Sequence, residues 1–224
     1  MPASLKSEWM LPAGLIVLAL IPVAAGAARL VGMATATEIT PDNARFLASP
    51  LPVVLHIVGV TIYSLLGAFQ FAPGFRRRHP GWHRIAGRIL VPAGLVAAVS
   101  GLWMSQFYVL PPTDGVALWV MRLVVGIAMA LSLILGVAAV LRRDIARHQA
   151  WMMRAYGLGM GAGTQVLTSL PWILIVGPPD TPTRAILLGA GWLINIAVVE
   201  WILANPARRV PVRGGGGRAR LSLG

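Results

Sequence analysis

The stretch "RRRHPGWHRIAGR", Arg76 to Arg88, runs directly into "ILVPAGLVAAVSGLWMSQF", Ile89 to Phe107, and this junction decides the fold. The first part holds five arginines, two histidines and a tryptophan with no acid; the second holds no charge at all. An apolar run of about 20 residues, rising about 1.5 Å per residue as a helix, crosses a hydrocarbon core of about 30 Å. A dense positive run against such a stretch reads as a membrane helix pinned at one end by its arginines. A second basic run of the same kind, "RRDIARHQAWMMRAY", lies at Arg142 to Tyr156.

The pattern recurs outward from this junction. The 224-residue chain is 57% hydrophobic and 12% charged, with a mean hydropathy of +0.74. A soluble domain carries about 25% charged residues, so this one lacks the charge to cover a water-facing surface. Six spans are expected, near Met10–Val31, Leu51–Phe71, Ile85–Phe107, Val116–Leu141, Trp151–Val176 and Ala185–Ala204. None shows the alternation of barrel strands, so the expected fold class is an all-α membrane protein, a six-transmembrane-helix bundle. "PPTDG" at Pro111–Gly115 and "GPPDTPT" at Gly177–Thr183 mark tight hairpins.

Charge then orients the chain. Lys6, Arg76, Arg77, Arg78, Arg84, Arg88, Arg142, Arg143, Arg147, Arg154 and five tail arginines fall on one side, whereas Arg29, Arg45 and Arg184 fall on the other. The positive-inside rule makes the first side cytoplasmic, with both termini there, in a bacterial inner membrane. Residues 1–9 are then a cytoplasmic N-terminus, 10–205 the transmembrane domain, and 206–224 a disordered basic tail. The first span reads as a retained anchor, with cleavage near "AGAAR", Ala25–Arg29, as the alternative. The net charge of +12 gathers between apolar runs, which points to anionic lipid headgroups at the cytoplasmic face and away from nucleic acid. With no cysteine, disulfides, thiolate metal sites and thioether-linked haem are excluded.

Polar residues inside spans are functional candidates, because hydrocarbon makes them costly. His56 lies in the outer half of the second span and Arg122 at a similar depth in the fourth. Arg122 calls for an internal partner, a wet pocket or an anionic ligand, or else it snorkels to the outer headgroups. At the inner side His83 opens the third span and His148 the fifth, each followed by an arginine, Arg88 and Arg154. Two such imidazoles could ligate the iron of a b-type haem with the arginines on its propionates, or they could bind a quinone headgroup or an anion. The bland alternative is an interfacial hydrogen-bond network. Glu200 enters the same layer and is expected to pair with Arg154. "YGLGMGAG", Tyr156–Gly163, permits close helix approach, either within the bundle or between copies.

"LHIVG" at Leu55–Gly59, "GAFQF" at Gly67–Phe71, "HRIAGR" at His83–Arg88 and "HQAWMMRAY" at His148–Tyr156 together resemble a family of bacterial membrane proteins, domain of unknown function 2306. The resemblance runs over about residues 51–171 and implies a membrane bundle without implying an activity. That family carries His-Arg at both inner runs; here the second reads His148–Gln149. The histidines are also loosely similar to those of two-haem b561-type cytochromes, although His56 has no histidine partner in the fourth span. The functional expectation is quinone- or haem-linked electron transfer with a membrane redox partner. Its rivals are a cofactor-free transporter or binder of small molecules or lipids, and a structural membrane subunit. No hydrolase nucleophile arrangement or phosphate-binding loop is present.

Overall fold

A computed structural model describes residues 5–205. The expectations for the disordered tail at 206–224 and for the first four residues lie outside the described residues. The described chain is helical: α1 (Leu5–Ala34), α2 (Ala44–Ala48), α3 (Pro50–Ala68), α4 (Pro73–Arg78), α5 (Pro80–Phe107), α6 (Gly115–Leu141), α7 (Ile145–Gly159), α8 (Gly161–Ile175) and α9 (Thr181–Ala204). Six helical stretches are long and apolar enough to cross a membrane: α1, α3, α5, α6, α7 with α8, and α9. Short 3-10 turns at Phe69–Phe71 and Pro112–Asp114 follow α3 and precede α6.

The helix starts follow from local chemistry. Prolines sit at the first positions of α3, α4, α5 and α9, where the missing N–H costs no intrahelical bond. Asp144 and Asp180 cap α7 and α9 by accepting from the backbone N–H groups of Arg147 and Thr183, each at 3.0 Å. Asp180 stands outside the spans, and its hydrogen bonds to Thr183 hold its carboxyl below the usual carboxylate range.

Lipid tails are as apolar as leucine, so burial alone does not drive these helices together; close packing does. The buried centre accordingly combines small residues, Ala86, Ala98 and Ala155, with Tyr63, Leu90, Met129, Leu133 and Tyr156. The α3–α5 seam is the clearest case. A Cβ on Gly59 would lie 2.9 Å from the Ala93 carbonyl oxygen and 3.2 Å from the Ala97 nitrogen, so only glycine lets the two backbones meet there. In the fifth span Gly159 faces Tyr63 of α3, Gly157 and Gly161 face Val199 and Trp192 of α9, and Gly163 seats the Leu18 carbonyl of α1. All four are used inside the bundle, so the glycine pattern packs this chain against itself.

The fifth span is broken, which its apolar pattern does not foretell. α7 ends at Gly159, Met160 sits at φ −80° and ψ 1°, and α8 begins at Gly161. Bilayer interiors offer no water for a carbonyl freed at such a break. Asn195 of α9 supplies the partner: its Nδ2 donates to the Gly157 carbonyl at 2.9 Å, and its Oδ1 accepts from Thr164 Oγ1 at 2.6 Å. Gln165 and Thr168 extend this polar seam by donating to the Leu188 and Leu187 carbonyls.

Candidate functional site

The basic run acts locally before it acts chemically. Pro73 starts the short helix α4, Pro80 starts α5, and the chain between them folds back at His79. Phe69, Phe75 and Trp82 meet edge-on in this corner, with Phe69–Trp82 centroids 6.1 Å apart and Phe75–Trp82 centroids 4.9 Å apart. On the next turn Phe71 packs 4.8 Å from the ring of Tyr156 on α7, whose hydroxyl donates to the Ser64 carbonyl at 2.7 Å. These contacts set the end of α3 against the first turns of α5 and α7. Gln70 lies between Phe69 and Phe71, and His83 follows Trp82.

Three side-chain atoms in this layer are buried without a hydrogen-bond partner: both the Nε2 and the Oε1 of Gln70, and the Nδ1 of His83. Buried polar atoms are nearly always satisfied in native proteins, so these mark a place where a polar group belongs. His83 is within electrostatic reach of Arg76, Arg84 and the His148 ring. Arg76, in α4, is half-buried, and burial together with the Arg77 charge lowers its guanidinium pKa from the ordinary value. His148 is held differently. Its Nδ1 lies 2.9 Å from the Gly136 carbonyl of α6, so Nδ1 is the donor there, and in the neutral ring Nε2 is the acceptor.

The arginines expected beside the histidines face elsewhere. Arg88 is exposed on α5. Arg154 leans over the Trp151 ring at 4.8 Å and grips Glu200 with two parallel bonds, Nε to Oε1 at 2.6 Å and Nη2 to Oε2 at 2.9 Å. At about 100° per residue, the five- and six-residue offsets rotate each arginine about 140° and 240° from its histidine. The structure therefore sets His83 within electrostatic reach of His148 and pairs Arg154 with Glu200, as two separate arrangements.

The outer-half residues form neither part of this site nor one cluster of their own. His56 Nδ1 lies 2.9 Å from the Ala97 carbonyl, with Ser100 Oγ at 3.4 Å and the ring against Gly101, so it ties α3 to α5. Arg122 has the internal partner it called for: Asp114, which is 2% exposed, accepts from Arg122 Nη1 at 2.6 Å and from Arg184 Nε at 2.8 Å. The pre-helical turn Pro112–Asp114 carries the fourth span one turn further out than its apolar residues suggest. The signal was present in "PPTDG", since Asp114 precedes Arg122 by eight residues, about two helical turns. Gln70 was overlooked as well; it stands within "GAFQF" as a polar residue among aromatics at a span's end.

Taken together, six apolar spans, small-residue seams and a polar layer at one membrane boundary define a polytopic helical membrane protein. The chain belongs to the family described as "Predicted membrane protein (DUF2306)", whose model matches residues 53–203. The match takes in the last span, further than the resemblance about 51–171 reached, and leaves α1 outside. No curated protein and no solved structure matches the chain, two-haem cytochromes included.

Proposed function

We propose that this is a binding protein of a bacterial plasma membrane. Its basic end lies in the cytoplasm against anionic headgroups, and its ligand is a small membrane-partitioning molecule held between Gln70, His83 and His148. The observation that carries the reading is that three side-chain atoms, Gln70 Nε2 and Oε1 and His83 Nδ1, are buried without a partner on elements joined by the Phe69–Trp82 contact at one boundary. Leaving a buried polar group unsatisfied costs about 1–3 kcal/mol, so a bound group that satisfies both side chains would be retained strongly. The test is to purify wild type, Gln70→Leu and His83→Leu in mild detergent and analyse the extracted small molecules by mass spectrometry. A species present with wild type and depleted in both variants is expected; identical extracts from all three would reject the site.

A second reading has one specific support. An imidazole whose Nδ1–H is anchored on a backbone carbonyl presents Nε2 to a metal, as His148 does. A b-type haem between His148 and His83 would draw on that. The arginines that would hold its propionates are turned away, so the absorbance spectrum of the same preparation decides: a Soret band lost in His148→Ala supports haem, and a colourless wild type grown with haem precursor rejects it.

Orientation has its own expected result. Among the described residues, Arg76, Arg77, Arg78, Arg84, Arg88, Arg142, Arg143 and Arg147 gather at one end of the bundle. A C-terminal fusion to a reporter that works only in the cytoplasm should be active, and a periplasm-dependent reporter at the same place silent. The reverse result would overturn the orientation.

A further inference from the structure

Resting on the reading of the inner layer as a binding site, we propose that its ligand is a quinone, bound by its head ring among Gln70, His83 and His148.

The hydrogen-bonding capacity of the site selects this class. The Gln70 amide offers a donor and an acceptor together, and the His83 Nδ1 is either one according to tautomer. A carboxylate or phosphate dianion brings acceptors alone and has no second form able to donate to Gln70 Oε1. A metal cation would answer Oε1 but meet the field of Arg76 and Arg84. A quinone presents carbonyl acceptors when oxidised and hydroxyl donors when reduced. An amide and an imidazole can serve both forms, by reorienting and by changing tautomer respectively.

The surroundings agree with a flat, membrane-soluble ring. Phe69 and Phe71 flank Gln70 and Trp82 precedes His83, and the Phe69–Trp82 and Phe71–Tyr156 rings pack in the edge-on and tilted arrangements that aromatic rings favour. The position at a span's end suits an amphiphile whose head sits at the boundary while its tail lies in hydrocarbon. With Nδ1 on the Gly136 carbonyl, a neutral His148 offers Nε2 as an acceptor, which adds a place for a quinol hydroxyl. The positive charge of Arg76 and Arg84, with no carboxylate among the groups acting on His83, favours the more electron-rich forms of the ring.

The experiment is equilibrium dialysis of a decyl-tailed benzoquinone into detergent-solubilised protein, with empty micelles as the reference. Wild type should bind saturably at one site. Gln70→Leu and His83→Leu should each weaken binding about tenfold or more, the loss expected when a buried hydrogen bond is removed. His83→Asn keeps an N–H close to the Nδ1 position and should bind more tightly than His83→Leu, while the exposed Arg88→Ala should match wild type. Size-exclusion elution and melting of His83→Asn report whether a loss comes from misfolding. Non-saturable binding by wild type, or equal binding by wild type and both leucine variants, would overturn the proposal. If quinone fails while another extracted molecule still depends on Gln70 and His83, the site survives and the ligand class falls. If neither depends on them, both readings fall together.

Discussion

Replacing Asp114 with alanine will lower unfolding stability by about 3–5 kcal/mol, the range for breaking a buried ion pair from one side. Asp114, in the turn before α6, accepts from Arg122 of α6 and from Arg184 at the start of α9, so its removal leaves two guanidiniums facing each other near hydrocarbon. The two helix starts are also in contact beside it. Gly115 has φ +58°, and a Cβ there would run into the Thr181 side chain, so the carboxylate sits at a turn only glycine fits. Arg122→Leu should cost less, because Arg184 still answers the carboxylate, by about 1.5–3 kcal/mol for one charged hydrogen bond. A triple change of Asp114→Ala, Arg122→Leu and Arg184→Leu should recover much of the single-variant loss. Reversible unfolding in mixed micelles measures all three. An Asp114→Ala protein within about 0.5 kcal/mol of wild type, the usual range for surface changes, would show that the clamp contributes nothing.

The second large effect is expected at Gly59. Its neighbours at 2.9 and 3.2 Å are backbone atoms of α5, not side chains that could turn aside. Gly59→Val must therefore separate α3 from α5, and overpacking of this kind costs about 1–3 kcal/mol. The same displacement pulls His56 from the Ala97 carbonyl one turn away, at about 0.6 kcal/mol for an interhelical hydrogen bond in a membrane. Gly59→Ala should fall between wild type and Gly59→Val, and His56→Leu alone should cost less than Gly59→Val. The same micelle unfolding checks the order. A Gly59→Val protein as stable as wild type would mean that the seam yields without cost.

What could be read in advance follows from which forces are local. Six spans were legible because hydropathy over a helix length is set by consecutive residues. The second-span histidine could be placed by depth alone, but its partner could not, because that partner is a backbone carbonyl on α5 and backbone leaves no residue-type signal. The glycine spacing of the fifth span announced close approach without saying whom it approached; four glycines at alternate positions, Gly157 to Gly163, in fact face α3, α9 and α1. The break at Met160 was hidden, because the glycine-rich stretch is also compatible with an unbroken helix and the compensating Asn195 lies a whole span away. At the inner layer, the histidines drew notice as titratable groups. Gln70 did not, because an uncharged amide is conspicuous only once its burial is known.

The placement of α1 bears on the order in which the molecule is built. The family match begins at residue 53, and α1 lies before it, resting on α3 and on α8. Chains enter the bilayer from the N-terminus, so α1 can meet α3 as soon as the second span arrives, with Gly26 lying against Ile57. Its other seat, the Gly163 notch that receives the Leu18 carbonyl, arrives only when the fifth span is made. Through that interval α1 waits half-docked in lipid, which is consistent with a helix so widely exposed and apolar from Trp9 to Ala34. The Gly163 notch lies three residues after the break at Met160, so the last α1 seat to be made and the interruption of the fifth span fall on neighbouring residues.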